Sequence, residues 1–210
     1  MFLDPLPTKR REIMGKARFW VFDLDGTITV PVHDFDAARR ALGVPPGVDL
    51  LHHVAALPPG PAAEARRWLA DWEHALADAA VLQDDAAALL AALRAAGRPW
   101  GVLTRNTRAT AARTLASIGL VGRAGPGIVI GREDAPPKPA PDGVQAVLAA
   151  LGGVAAEAVM VGDYVYDSQA GRAAGALTVL VRRPGGTGAP PGAADLEVDD
   201  LRALLPVEHP

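Results

Sequence analysis

The order of apolar and polar residues predicts short buried strands that alternate with amphipathic helices. Apolar runs rich in β-branched and aromatic residues predict strands, and apolar residues spaced three and four apart predict helices. The predicted strands are Phe19–Phe22, Trp100–Leu103, Gly127–Ile130, Ala158–Val161 and Leu177–Val181, with a weak strand and a helix after residue 194. The predicted helices are Phe35–Leu42, Ala62–Ala80, Asp85–Ala96, Thr107–Ile118, Pro141–Leu151 and Gln169–Ala174. This alternation is typical of an α/β fold with a parallel sheet and right-handed crossovers.

The segment 31–81 interrupts the alternation. It holds two predicted helices separated by five prolines, and no run in it predicts a strand. We expect residues 31–81 to form a small helical cap laid over the sheet. Residues 1–30 and 82–210 would then form one α/β core domain, which a chain of 210 residues is long enough to build.

Composition excludes several classes of function. The formal net charge is −3 and both signs are spread along the chain, which argues against a nucleic-acid binder. The chain has no cysteine, so a disulfide framework and a thiolate nucleophile are both excluded. The first 18 residues are charged and contain prolines, and no segment is apolar enough for a signal peptide or a membrane span. We expect a cytoplasmic protein without membrane contacts, either a monomer or a homodimer.

Unusual polar residues follow four of the predicted strands. Asp23 and Asp25 follow the first strand, Thr104 the second, Lys138 lies in the loop after the third, and Asp163 follows the fourth. Ligands of open α/β sheets bind outside the carboxyl ends of the strands. We therefore expect these side chains to converge on one site.

The pair Asp23 and Asp25 is the most informative feature of that site. Residues two apart on an extended segment point the same way. Two carboxylates at ~4 Å repel by roughly 4 kcal/mol at an effective dielectric constant of ~20. Either a divalent cation or a proton on one of the acids would relieve this repulsion, and both possibilities indicate chemistry rather than packing.

Four short motifs carry a family resemblance. They are Asp-Leu-Asp-Gly-Thr at 23–27, Val-Leu-Thr at 102–104, Lys-Pro-Ala-Pro at 138–141 and Val-Gly-Asp-Tyr-Val-Tyr-Asp at 161–167. In this order they resemble the signature motifs of the haloacid dehalogenase superfamily, and most of all its phosphoglycolate-phosphatase-like branch. The resemblance implies a Rossmann-like parallel sheet flanked by helices, with a small α-helical cap inserted after the first strand. It also implies a phosphatase that acts on a small phosphorylated metabolite.

The resemblance implies a role for each charged residue. Asp23 would be the nucleophile that forms an aspartyl-phosphate, and Asp25 the general acid and base. Lys138 would neutralise the nucleophile and the phosphoryl group. Asp23, Asp25 through its backbone carbonyl, and Asp163 would bind the metal. Asp167 would bind it through water or orient Lys138, and a simple helix cap remains the alternative for this residue.

The remaining site residues would contact the phosphate. The resemblance assigns this role to the turn residues Gly26 and Thr27 and to Thr104, Arg105 and Asn106, together with Lys138. Gly26 would let the backbone approach the phosphate, and Thr104 would hold a phosphoryl oxygen through its hydroxyl. Because every metal donor is an oxygen, we expect Mg²⁺ as the cofactor.

Two other activities of the superfamily do not fit the sequence. Its dehalogenases lack the second aspartate of the first motif, so Asp25 argues against dehalogenation. Phosphonate cleavage relies on a cap lysine, and no lysine occurs between Lys16 and Lys138. A phosphomutase and a non-catalytic module that binds phosphorylated ligands remain as alternatives.

Several further residues are ambiguous. Trp68, Trp72 and Leu76 share one helical face, which indicates either packing or a wall of the substrate pocket. His52 and His53 are either exposed or in contact with a metal or substrate.

The segment after the last predicted strand is rich in glycine and proline. Arg182, Arg183 and Gly185–Gly188 resemble a phosphate cradle, but no Lys-Ser/Thr pair follows, so a surface loop is the better interpretation. His33, at the start of the expected cap, could reach the substrate.

Overall fold

The strands form one six-stranded sheet in which every neighbouring pair is parallel. The computed structural model describes residues 8–32, 34–122, 125–183 and 189–205. The strands are β1 (Phe19–Phe22), β2 (Trp100–Leu103), β3 (Val129–Ile130), β4 (Ala158–Gly162), β5 (Leu177–Val181) and β6 (Leu196–Val198), and their order in the sheet is β3-β2-β1-β4-β5-β6. His33 and Gly185–Gly188 lie outside the described residues.

Helices cover both faces of this sheet. They are α1 (Thr8–Lys16), α2 (Phe35–Ala41), α3 (Leu50–Ala56), α4 (Pro59–Asp78), α5 (Asp84–Ala95), α6 (Arg108–Ser117), α7 (Asp142–Leu151) and α8 (Val165–Ala174), with 3₁₀ turns at Ala155–Glu157 and Leu201–Leu204. The predicted α/β class with a parallel sheet flanked by helices is therefore confirmed. In the described parts of the chain, each helix is either too short or too polar to serve as a membrane span.

The core lies on both faces of the central strands. Trp20 and Phe22 are fully buried among side chains of α1, α5 and α6, and their rings stack with centroids 5.9 Å apart. Val21 points to the opposite face and packs against α7 and α8. Because both faces are covered, the inner strands read as continuous apolar runs, which made them predictable from sequence.

Helices α2, α3 and α4 lie between β1 and α5 in the chain and have a hydrophobic cluster of their own. The buried members of this cluster are Ala38, Val44, Leu50, Val54, Ala65 and Leu69. Helix α4 also packs along α6, where Arg113 pairs with Asp78 and Ser117 Oγ donates to Ala77 O. The division into a core of 1–30 and 82–210 and a cap of 31–81 stays a prediction.

Three helices differ most from the sequence prediction, and α4 also begins earlier than predicted, at Pro59 instead of Ala62. Helix α8 begins at Val165, earlier than predicted, because Asp167 Oδ2 accepts a hydrogen bond from Tyr164 N–H and stabilises the first turn. Helix α3 was not predicted, although Asp49 caps it by accepting from His52 N–H at 2.9 Å. Helix α1 was not predicted either, since Ile13 is its one buried residue and the rest gives no apolar stripe.

Candidate active site

Strand β1 lies in the middle of the sheet and places Asp23 at the carboxyl ends of the strands, where the other predicted site residues converge. Asp23 N–H donates to Val161 O at 2.9 Å, so its backbone continues the hydrogen bonding between β1 and β4. The residue is only 8% exposed. Its carboxylate is therefore held in a fixed position in a largely water-free environment.

Lys138 contacts three neighbouring elements here: the turn after β1, the end of β2 and the first turn of α8. Its Nζ donates to Asp23 Oδ1 at 2.5 Å and to Leu103 O at 3.2 Å, and it lies 2.6 Å from Asp167 Oδ1. The ammonium group is buried, with 5% of the side chain exposed. Asp167 therefore orients Lys138 and caps α8 at the same time, so both of these predicted contacts occur together.

Asp163 completes a crowded group of acids, which we call the acid cluster: Asp23, Asp163 and Asp167. Each offers a carboxylate oxygen within 4.8 Å of the other two. With all three acids ionised, the three carboxylates and the ammonium of Lys138 carry a formal excess of two negative charges.

This excess changes the proton affinities of the acid cluster. Burial, followed by the neighbouring Asp167 carboxylate, raises the pKa of Asp163 to about 6. Burial also raises the pKa of Asp23 well above its usual value; Lys138 opposes this effect, and the other carboxylates add to it. For Lys138, burial lowers the pKa, but Asp167 and Asp23 outweigh it and hold the pKa above its usual value. The site is short of positive charge.

The donor set of the acid cluster fits a hard divalent cation. All its donors are carboxylate oxygens, they are close together, and they carry uncompensated negative charge, which are the properties of Mg²⁺ and Ca²⁺ sites. Among the residues that the structure describes, no other group of three or more acids and histidines is so close. His52 and His53 on α3 are accordingly not part of such a group.

A tight turn follows Asp25 and faces Asp163. Gly26 has φ +80°, and a Cβ at this position would collide with the Asp163 carboxylate. Thr27 Oγ1 lies 3.4 Å from Asp163 Oδ1. A glycine is therefore required here by both conformation and close approach.

Asp25 Oδ2 accepts a hydrogen bond from Asn106 Nδ2 at 2.7 Å, which orients the carboxylate of this second aspartate.

The loop after β2 holds the remaining predicted residues. Thr104 is buried, and its Oγ1 accepts from Asn106 N–H at 3.1 Å. Arg105 instead extends to the α2–α3 region, where Nη2 donates to Asp49 Oδ2 at 2.9 Å, and the pair is about half exposed. The structure thus brings Asn106 to Asp25 but pairs Arg105 with Asp49; phosphate binding by Arg105 stays a prediction.

A narrow cleft between α4 and α6 opens beside Asp25. Its lining includes Thr29, Leu76, Asn106 and the buried Glu73. Glu73 accepts from Arg132 Nη1 at 2.7 Å, and this residue was not predicted. The sequence signal that could have identified Glu73 is its position as an acidic residue on the apolar face of α4.

The tryptophans of α4 occupy a different position. Trp72 packs against the hydrophobic cluster of α2–α4. Trp68 stacks on it with centroids 6.1 Å apart and is 36% exposed. Of the predicted apolar stripe, therefore, Leu76 lines the cleft beside Asp25 and Trp72 serves in packing.

Comparison with known proteins places this arrangement in a family. The profile of the haloacid dehalogenase-like hydrolases matches residues 30–175. A haloacid dehalogenase-like hydrolase domain-containing protein of Arabidopsis thaliana is 33% identical over 177 residues, which cover 79% of this chain and 71% of the relative.

Solved structures are similar at lower identity. CbbY from Rhodobacter sphaeroides in complex with phosphate superimposes with a TM-score of 0.72 at 20% identity, covering 89% of this chain and 95% of CbbY. A predicted phosphoglycolate phosphatase from Haemophilus somnus gives a TM-score of 0.70 at 19% identity, covering 89% and 96%. At these identities the likeness establishes the fold alone.

Proposed function

We propose that this chain, which belongs to the haloacid dehalogenase-like hydrolase family, is a Mg²⁺-dependent phosphatase that acts on a small phosphorylated metabolite. One observation carries the proposal: a buried carboxylate, Asp23, lies against the buried ammonium of Lys138 and two further acids, with Asp25 two residues away. The phosphate bound to CbbY and the activity named for the Haemophilus somnus protein agree with this assignment.

Asp23 is the proposed nucleophile. One of its oxygens bonds to the phosphorus while the bond between phosphorus and the leaving oxygen breaks, which gives an aspartyl-phosphate. A carboxylate is a weak nucleophile, so position and charge must provide most of the rate. Lys138 provides both, because its ammonium fixes Asp23 Oδ1 and reduces the repulsion between the carboxylate and an anionic phosphate.

Asp25 is the proposed acid and base. In the first step its protonated carboxyl gives a proton to the leaving alkoxide. In the second step its carboxylate takes a proton from the water that attacks phosphorus, and the bond to Asp23 breaks. The hydrogen bond from Asn106 holds this carboxyl in one orientation through both steps.

The acid cluster would hold the Mg²⁺ ion. Asp23 and Asp163 are the proposed direct ligands, with the backbone carbonyl of Asp25, and Asp167 contributes through water or through Lys138. When bound, the ion supplies positive charge that offsets charge on the phosphoryl oxygens. The two excess negative charges of the cluster are the reason to expect it.

Phosphate release from a panel of phosphomonoesters, with Mg²⁺ and with a chelator, tests the proposal. We expect Mg²⁺-dependent release by the wild type and a loss of at least about 10³-fold in Asp23→Asn, since the nucleophile is removed. Asp71→Asn, an exposed acid on α4, is the control and should keep full activity. Wild-type activity in Asp23→Asn, or transfer of the phosphoryl group to a sugar phosphate instead of water, would contradict the proposal.

A further inference from the structure

Arg183 is the second residue after β5, in the segment interpreted from sequence as a surface loop. Its side chain is instead buried, with 9% exposed. It points back into the protein and reaches the turn that follows Asp25. The neighbouring Arg182 lies in the same segment but pairs with Glu197 and contacts no part of this turn in the described structure.

Arg183 makes four hydrogen bonds on two sides of its guanidinium group. On one side, Nε donates to Gly26 O at 3.1 Å and Nη2 donates to Thr27 O at 3.2 Å. On the other side, Nη1 and Nη2 donate to the two carboxylate oxygens of Asp85, at 2.7 and 3.1 Å. Asp85 is itself buried and also accepts from Leu201 N–H at 2.8 Å.

The turn is therefore fixed from two directions. Arg183 holds its two carbonyl oxygens, and the Asp163 carboxylate lies against Gly26 and Thr27 on the acid-cluster side. Because C=O and N–H of a trans peptide point in opposite directions, fixing the Gly26 carbonyl also fixes the direction of the Thr27 N–H. A shift of this turn would move both Asp25 and the neighbouring Asp163.

The geometry requires an arginine rather than any cation. A guanidinium group presents donors in a rigid planar fork, so one residue can bind a carboxylate with two bonds and still donate to two carbonyl oxygens. A lysine ammonium at this position would satisfy Asp85 without spanning both turn carbonyls. The Asp85 carboxylate fixes the orientation of the fork.

We propose that Arg183 is a positioning residue that sets the Gly26–Thr27 turn and thereby the relative placement of Asp25 and Asp163. This inference rests on the proposed function for its catalytic consequence. A displacement of about 1 Å can cost roughly 100-fold in rate at such sites, and loss of groups that orient metal ligands typically lowers activity or metal affinity by about 10–100-fold.

The test compares three variants that separate the turn contacts from the ion pair. Arg183→Lys keeps a charge beside Asp85 but loses the fork. The double variant Arg183→Met/Asp85→Asn removes both charges and keeps an acceptor for Leu201 N–H. Arg182→Lys is the matched control. The readouts are kcat and KM for a hydrolysed phosphomonoester, the melting temperature, and the Mg²⁺ dissociation constant from calorimetry.

We expect Arg183→Lys and the double variant to lose about 10–100-fold in kcat and to bind Mg²⁺ about 10-fold more weakly, with little change in KM. Arg182→Lys should match the wild type. A wild-type kcat and Mg²⁺ affinity in Arg183→Lys would overturn the proposal. So would a double variant in which kcat recovers along with stability, because the role would then be only structural.

The readouts also separate this inference from the proposed function. If the wild type hydrolyses no phosphomonoester, the proposed function fails. The Mg²⁺ titration then still decides the role of Arg183, since it requires no turnover. Equal Mg²⁺ affinity in wild type and Arg183→Lys would count against the positioning role under those conditions as well.

Discussion

Two buried charged clusters lie on either side of the turn after Asp25, and they differ in balance. The acid cluster has three carboxylates against one lysine, whereas Asp85 and Arg183 form a neutral, two-bonded pair. Burial raises the pKa of Asp163 in the first cluster. In the second, burial also acts to raise the pKa of Asp85, but the bonds from Arg183 and Leu201 N–H outweigh it and hold that pKa below its usual value.

This difference in charge balance separates the proposed metal site from a charge pair that holds the neighbouring backbone in place. A neutral buried pair satisfies itself and can serve to fix neighbouring backbone. An acid-rich cluster needs additional positive charge, which either a proton on one of the acids or a bound cation can supply. The turn therefore lies between the proposed metal site and a charge pair that is neutral without a ligand.

Removing the ammonium group of Lys138, which pairs with the acid cluster, should have the largest effect. Lys138→Met leaves Asp23 without its ammonium partner, so we expect phosphatase activity to fall by about 10³-fold, comparable to loss of a key electrostatic donor. The exposed Lys16 pairs with Glu12 at 2.9 Å, and Lys16→Met is the control in steady-state assays. An active Lys138→Met protein would mean that the lysine does not neutralise the nucleophile.

Breaking the neutral pair should lower the stability of the protein as well as its activity. Asp85→Ala leaves the buried Arg183 unpaired, which typically costs about 3–5 kcal/mol of unfolding free energy. Lys16→Met breaks the exposed pair with Glu12 and should cost much less unfolding free energy. Urea denaturation measures both values, and equal losses would show that burial of the Asp85–Arg183 pair has no special weight.

Mg²⁺ should stabilise the protein through the acid cluster. At a concentration 100-fold above its dissociation constant, the ion should add about 2.7 kcal/mol to the unfolding free energy. Asp163→Asn should lose most of this gain, yet be at least as stable as the wild type without Mg²⁺, because one of three crowded charges is gone. Asp71→Asn should respond like the wild type. A melting temperature that is the same with and without Mg²⁺ would contradict a metal site at the acid cluster.

Acidic pH should gradually reduce the contribution of the Asp85–Arg183 pair to the unfolding free energy, and this effect should be smaller than those above. Because the folded pKa of Asp85 lies below its usual value, its stabilisation is present above about pH 4 and is lost as the pH falls through the lowered pKa. The stability difference between wild type and Asp85→Asn should therefore shrink below about pH 4. A difference that stays constant down to pH 2 would show that Asp85 does not titrate in this way.

Sequence predicted the acid cluster better than the neutral pair, for a physical reason. Asp23 and Asp163 follow buried apolar strands, Lys138 lies in the loop after the third strand, and the parallel sheet brings strand ends together. Arg183 binds backbone carbonyls of a distant turn, and backbone acceptors leave no mark in the sequence. The orientation of Arg105 toward Asp49 was likewise not predictable, since long side chains choose their partners only after the helices are placed.

The identity of the nucleophile can be tested directly with Asp25→Asn and 4-nitrophenyl phosphate. This substrate has a good leaving group, so the first step needs no acid, whereas the second step lacks its base and the phosphorylated protein should accumulate. We predict a burst of one 4-nitrophenolate per protein molecule and one phosphoryl group on Asp23, located by quenched mass spectrometry. No burst, or a phosphoryl group on any other residue, would contradict the assignment of Asp23 as the nucleophile.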